Sequence, residues 1–189
     1  MDGLTVIYDA CVLYPAPLRD LLMHLAMTDL FKARWSDDIH EEWMRNVLKN
    51  RSDLTKEQLE RTRQLMDKHT RDCLVKDYDS LIEEITLPDP NDRHVLAAAV
   101  RSSASVIVTY NLKDFPIQET EKYAVEAQHP DDFISQFLDI ASGIICGAIK
   151  RLRSSLKNPP IDAERYLELL AKQSLPKTVS KLKEFVSLI

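Results

Sequence analysis

The sequence is poor in glycine and cysteine. Only 3 of its 189 residues are glycine, which excludes collagen-like fibres and Gly-rich linkers. The three cysteines, Cys11, Cys73 and Cys146, are far apart and odd in number. This spacing argues against a disulfide framework or a zinc knuckle, and it favours a reducing, cytoplasmic location.

A long uninterrupted apolar run is also missing, so we expect no membrane span and no association with a membrane. The chain opens with Met1-Asp2-Gly3 and passes directly into an apolar segment. No basic stretch followed by an apolar one indicates a signal peptide there. What remains is ordinary globular composition, with 44% hydrophobic and 29% charged residues. That is enough for a sizeable core.

Charge is distributed unevenly along the chain. The net charge is −5, yet residues 142–189 hold nine basic and only four acidic side chains. An acidic body that holds cations and a basic tail that meets phosphates would explain this distribution. A solvated helical face would explain the tail equally well.

Apolar, β-branched segments alternate with helical patterns over most of the chain. We predict strands at 5–8 and 106–109, a short strand at 33–35 and an edge strand at 124–125. The apolar spacing between them predicts helices, the first from Leu18 to Phe31. This alternation is typical of an α/β fold with a parallel sheet. Ligands in such folds bind at the carboxyl ends of the strands.

Capping residues mark where further helices begin. Ser36 precedes two aspartates, Thr55 has a glutamine three residues later, and Pro130 opens another helix. Beyond that helix the pattern predicts two or three helices separated by prolines. We therefore expect a main domain at residues 1–141 and a helical C-terminal extension at residues 142–189.

Oxygen-bearing side chains recur at the ends of elements that should share one edge of the sheet. They are Asp9 after the first strand, Asp92 at a helix start, Asn111 and Asp114 after the 106–109 strand, and Glu41 or Glu42 on the helix after Ser36. Crowded carboxylates repel one another unless a cation offsets the charge. Hard cations such as Mg²⁺ take oxygen ligands. Each residue alone also has an ordinary explanation as a turn, a helix cap or a solvated face.

Four segments in this order resemble the motifs of the PIN-domain family. The first is VIYDACVL at residues 6–13, and the second is SDDIHEEW at residues 36–43. The third is DPNDRHVLAAA at residues 89–99, and the fourth is TYNLKDF at residues 109–115. The resemblance covers roughly residues 4–135. It implies a three-layer α/β/α fold with a small parallel sheet.

The resemblance also implies an activity and partners. PIN domains similar to the VapC group are Mg²⁺- or Mn²⁺-dependent endoribonucleases, typically the toxins of bacterial toxin–antitoxin pairs. On that basis the expected substrate is RNA, and the expected partners are a small antitoxin protein and a second copy of the chain.

Individual roles follow from the matched motifs. Asp9 and Asp92 would be the primary metal ligands, and Glu42 would bind metal and help to deprotonate the nucleophile. Asn111 would complete the catalytic set, with Asp114 as a further metal ligand. Four flanking residues complete the expected site: Thr109 and Asp89 would support the ligands, and Arg93 and Lys113 would bind substrate phosphates.

Two departures from the family pattern leave an alternative open. Cys11 stands where many relatives have Asn, and Asn111 stands where many have Asp. The missing carboxylate would suit a non-catalytic, PIN-like RNA-binding or scaffold protein. An Asp-nucleophile phosphatase is disfavoured, because that chemistry usually needs a second acid at the position of Cys11. We expect His40, His94 and Trp43 to have structural roles.

Overall fold

A parallel sheet of five short strands organises the structure, a computed structural model that describes residues 3–189. The strands are β1 (Thr5–Tyr8), β2 (Lys32–Ser36), β3 (Leu74–Val75), β4 (Val106–Val108) and β5 (Glu126–Gln128). Their spatial order is β3-β2-β1-β4-β5, and every neighbouring pair is parallel. The predicted parallel sheet is confirmed.

Helices follow the strands and cover the sheet. They are α1 (Ala10–Leu13), α2 (Ala16–Ala26), α3 (Asp37–Asn50), α4 (Lys56–His69), α5 (Asp79–Ile82), α6 (Arg93–Arg101), α7 (Ile117–Thr120), α8 (Pro130–Ser155), α9 (Ala163–Ala171) and α10 (Pro176–Leu182). Successive β1 side chains point to opposite faces, and Val6, Ile7 and Tyr8 are all 0% exposed. Both faces of the sheet are therefore covered, as expected for the three-layer α/β/α fold.

The strand order creates a switch point between β1 and β4. From β1 the chain first builds β2 and β3 on one side, and later β4 and β5 on the other. In open α/β sheets, the crevice at the carboxyl ends of two such strands is where ligands bind. Asp9 directly follows β1, and Thr109 directly follows β4. The fold thus brings the first and fourth sequence motifs to one place.

The predicted helix starts are confirmed by their caps. The Ser36 hydroxyl accepts the N–H of Ile39 at 3.2 Å and begins α3. At the start of α4, the Thr55 hydroxyl accepts the N–H of Gln58, whose side chain accepts the N–H of Thr55. These reciprocal bonds satisfy donors that a helix start would otherwise leave unpaired.

Two predicted boundaries are corrected. Helix α2 ends at Ala26 rather than Phe31, since the chain turns there and Asp29 adopts a left-handed φ of 59°. The edge strand begins at Glu126 rather than at Ala124, because Ala124 itself is left-handed with φ of 56°. A left-handed residue cannot continue either a regular helix or a strand.

Helix α8 is longer and more apolar than we expected of any segment. Its length and apolar composition would suffice to cross a membrane, but half of its most apolar stretch of 18 residues is buried within the fold. It packs against α2 and α10, and the core helix of a globular protein has the same properties. Ala141, inside α8, has non-helical dihedral angles. The division of the chain at residue 141 stays a prediction.

A buried hydrogen-bond network joins α3, α4 and β2. Nε2 of His40, which is 0% exposed, lies 2.9 Å from Oδ1 of Asp67. Trp35 Nε1 donates to the same oxygen at 2.8 Å, and Trp43 Nε1 donates to His40 Nδ1 at 3.0 Å. Since Nδ1 accepts from Trp43, the ring proton lies on Nε2 and is donated to Asp67. Burial lowers the pKa of His40, which favours this neutral ring. His40 and Trp43 are structural residues, as expected.

Replacing the acceptor of this network should destabilise the fold. In Asp67→Ala, two N–H groups at His40 and Trp35 would be left without an acceptor, so the free energy of unfolding should fall by about 2–4 kcal/mol. Urea denaturation followed by circular dichroism measures the change. The control is Asp53→Ala, which removes an exposed ion pair with Arg51 and should have a clearly smaller effect. Equal losses in both variants would contradict the proposed role of Asp67.

Candidate active site

Asp9 is fixed where two neighbouring strands end. Its N–H donates to the carbonyl of Val108 at 3.1 Å, which extends the pairing of β1 with β4 by one residue. The Thr109 hydroxyl then donates to Asp9 Oδ2 at 2.6 Å. Asp9 is only 2% exposed and Thr109 is 0% exposed. Burial raises the pKa of Asp9, while the bonds from Thr109 and Cys11 oppose that rise.

Cys11 supports the same carboxylate oxygen as Thr109 does. Its thiol donates to Asp9 Oδ2 at 3.1 Å, and its sulfur accepts the N–H of Tyr110 at 3.3 Å. The Thr109 hydroxyl likewise accepts the N–H of Asn111 at 2.9 Å. Both side-chain bonds to Asp9 end on Oδ2, so neither of them uses Oδ1. The departure at Cys11 thus keeps a hydrogen-bond donor beside Asp9.

Asp92 lies at the entrance to α6. The preceding 3-10 turn, Pro90–Asp92, is capped by Asp89, whose Oδ1 accepts the N–H of Asn91 at 2.9 Å. Asp92 is 8% exposed, and its pKa is raised to about 7. Burial is the main cause, and the remainder comes from four nearby carboxylates, those of Asp9, Asp89, Asp114 and Glu42.

An acidic cleft of about 560 Å³ opens beside Asp92. Its lining comes from three parts of the chain: Asp38, Glu41, Glu42, Arg45 and Asn46 from α3, Asp89, Asn91, Asp92 and His94 from the third motif, and Asn111 and Asp114 from the fourth. Asp9 is not among the lining residues, but it is close enough for its charge to raise the pKa of Asp92. Carboxylates from all four motifs therefore interact at the carboxyl edge of the sheet.

The structure gathers most of the residues singled out in the sequence. Glu42, Asp89, Asp92, Asn111 and Asp114 line the cleft, and Asp9 and Thr109 are hydrogen-bonded to each other nearby.

The two predicted phosphate-binding residues are chain neighbours of residues that line the cleft. Neither Arg93 nor Lys113 is among the residues that line the cleft. Arg93 is partly buried and Lys113 is exposed. Their roles stay predictions.

Several lining residues were not anticipated. His94 Nε2 lies 3.2 Å from Glu42 Oε2, and His94 lines the cleft rather than the core. Arg45 is an exposed cation on the same cleft. Its spacing was an available signal, because Arg45 follows Glu41 by four residues and Glu42 by three. Residues so spaced share one helix face.

The donors suit a hard divalent cation. Aspartate and glutamate carboxylates and the Asn111 side chain offer oxygens, and their mutual repulsion falls when a cation binds between them. Within residues 3–189, no three Asp, Glu, His or Cys side chains stand at ligand spacing around one point. Mg²⁺ usually takes one or two carboxylates and completes its shell with water. Asp92, with Asp9 and Glu42 nearby, fits that requirement.

A sequence model of the PIN domain matches residues 5–113, which contain the first three motifs and residues 109–113 of the fourth. The chain belongs to the PIN-domain family. A second family model, described as the VapC50 C-terminal domain, matches residues 130–184. The PIN match thus ends before α8, and the second match covers α8 to α10.

The chain is similar in sequence to a curated protein named putative ribonuclease VapC50. That relative comes from Mycobacterium tuberculosis (strain ATCC 25618 / H37Rv). It is 43% identical over 82 residues, which are 43% of this chain and 48% of the relative. The match therefore spans about half the length of that relative. No solved structure matches this chain.

The raised pKa of Asp92 predicts a stability change with pH. A carboxyl group with a raised pKa costs stability when ionised, so the cost is present above pH 7 and disappears as pH falls toward the ordinary value of 3.8. Without divalent ions, Asp92→Asn should be more stable than the wild type by about 1–3 kcal/mol at pH 8, allowing for screening by water in the open cleft. This gain should vanish near pH 4.

Urea denaturation in chelator at several pH values measures that difference. The matched control is Asp72→Asn, which changes an exposed aspartate just before β3, at the opposite edge of the sheet. Asp72 has a φ of 52°, which asparagine also tolerates. A pH-independent gain in Asp92→Asn would contradict the assigned pKa.

Proposed function

We propose that this PIN-domain protein is a Mg²⁺- or Mn²⁺-dependent endoribonuclease that hydrolyses RNA phosphodiesters in the cytoplasm. The observation that carries the proposal is the acidic cleft at the switch point between β1 and β4, where carboxylates from all four motifs interact. The name of the VapC50 relative, a putative ribonuclease, supports it.

Each residue has a role that its position supports. Asp92 and Asp9 would hold the cation, with Asn111 and Asp114 completing the site and Glu42 accepting a proton from the attacking water. A bound divalent cation supplies an activated water and stabilises the leaving oxygen. Thr109 and Cys11 keep Asp9 in one orientation by donating to Oδ2. Asp89 shapes the turn that presents Asp92.

Arg45 is the residue we assign to the RNA backbone. It is exposed and lies on the cleft that also holds Glu42 and Asp92. Arginine commonly binds phosphate oxygens and positions nucleic acid without reading its sequence. A phosphodiester bound by Arg45 would lie beside the acidic residues.

We further propose that the chain is the toxin of a type II toxin–antitoxin pair. The VapC-type name of the relative supports this role, and so does the match of residues 130–184 to the VapC50 C-terminal domain. A small antitoxin protein and a second copy of the chain would then be its partners. We expect the RNA target to be single-stranded at the cleaved bond, because the bases and backbone of a single strand are exposed to the cleft.

Nuclease assays test the proposed activity. With single-stranded RNA and Mn²⁺, the wild type should cleave, and Asp9→Asn should lower the rate by about 100-fold or more because a charged ligand is lost. EDTA should abolish cleavage, and excess Mn²⁺ should restore it. Asp72→Asn, the same chemical change at the opposite edge of the sheet, should leave the rate unchanged.

Equal rates in the wild type and Asp9→Asn would overturn the assignment of this site. Mn²⁺ binding by calorimetry distinguishes the alternative. RNA binding without Mn²⁺ binding at millimolar concentration would support the non-catalytic, PIN-like RNA-binding or scaffold protein instead.

Expression in bacteria tests the toxin role. Induction of the wild-type chain should arrest growth, and induction of Asp9→Asn to the same level should not, because only the former would cleave RNA. Colony counts and immunoblots measure growth and expression. Arrest by both variants would show that toxicity does not come from the acidic cleft.

A further inference from the structure

The C-terminal helices are anchored to the start of α8 by a buried carboxylate. Asp131 accepts the N–H of Thr178 at 2.8 Å and the N–H of Lys177 at 2.9 Å. Asp131 is 3% exposed and Thr178 is 0% exposed. Because these bonds satisfy free N–H groups at the first turn of α10, they fix the chain around α10 relative to α8.

Tyr110 reaches from the fourth motif to this anchored segment. Its hydroxyl donates to the carbonyl of Gln173 at 2.6 Å, between α9 and α10. Its ring packs edge-on against the ring of His129, just before α8, and the two ring centroids are 5.2 Å apart. Burial, followed by the nearby Cys11 and Asp131, raises the pKa of Tyr110 to about 12, so the hydroxyl keeps its proton at neutral pH.

The main chain at Tyr110 is in turn linked to Asp9 by two routes. Its own N–H donates to the Cys11 sulfur, and the Cys11 thiol donates to Asp9 Oδ2. The next N–H, that of Asn111, donates to the Thr109 hydroxyl, which also donates to Asp9 Oδ2. A displacement of this short segment would therefore loosen both supports of the Asp9 carboxylate.

We infer that Tyr110 is a positioning residue through which the C-terminal helices hold Asp9 in its binding orientation. The extension then serves the site at the sheet edge, in addition to packing against the core. The expected effect on metal binding rests on the proposed function. The hydrogen-bonded link from the C-terminal helices through Tyr110 to Asp9 does not depend on that function.

Tyr110→Phe in the full chain tests the link, because it removes only the hydroxyl. The matched control is Tyr8→Phe, which removes another tyrosine bond to a main-chain carbonyl, the 3.1 Å bond to Leu22. Hydrogen exchange at the amides of residues 110 and 111 should be about 10-fold faster in Tyr110→Phe than in the wild type or the control. Mn²⁺ affinity should fall by about 3- to 10-fold in Tyr110→Phe alone.

The outcomes separate the link from the function. Exchange rates and Mn²⁺ affinity that match those of Tyr8→Phe would overturn the inference and leave the proposed function intact. A wild-type chain that binds no Mn²⁺ would overturn the proposed function, and the exchange rates would still decide whether the link exists.

A second variant tests the anchor itself. Asp131→Asn replaces one accepting oxygen with an NH₂ group, which cannot accept the N–H of Lys177 or Thr178. It should speed exchange at residues 110 and 111 in the same direction as Tyr110→Phe. Faster exchange confined to α10 would contradict the transmission from the extension to the site.

Discussion

The hydrogen bond from Thr109 to Asp9, 2.6 Å long, joins the ends of two parallel strands that lie side by side in the sheet. It exists because β1 and β4 are in register and each is followed by a polar residue. The rest of the site is arranged around this junction. Helix α3 brings Glu42 and Arg45, and the start of α6 brings Asp92. A shift of either strand by one residue would turn Asp9 or Thr109 to the other face.

Electrostatic repulsion is the second constraint on the site. The fold holds Asp92 close to four other carboxylates, although each ionised group makes the others harder to ionise. Such an arrangement lowers the stability of the protein when no cation is bound. Active sites are commonly less stable than the rest of a fold, because their residues are arranged for function. The well-satisfied network of His40, Asp67 and the tryptophans beneath α3 supplies rigidity on the other side of the same helix.

Features that depend on residues close together in the sequence could be predicted, and features that depend on distant residues could not. Strand β1, the caps at Ser36 and Thr55, and the helix start at Asp92 depend on neighbouring residues, so the sequence predicted them. Strand β3 has two residues and depends on its pairing with β2, so no local pattern marks it. The bond from Tyr110 to Gln173 joins residues 63 positions apart. A single sequence holds no signal for such a contact.

The central position of β1 also affects when the site can form. β1 is made first, but Thr109, which supports Asp9, follows 100 residues later, and Gln173 later still. Contacts at such sequence separation form slowly, since a long loop must close first. On a ribosome, Asp9 would therefore lack the hydrogen bond that supports it until Thr109 has been made. A growing polypeptide would have no assembled cleft until the fourth motif, residues 109–115, has left the ribosome.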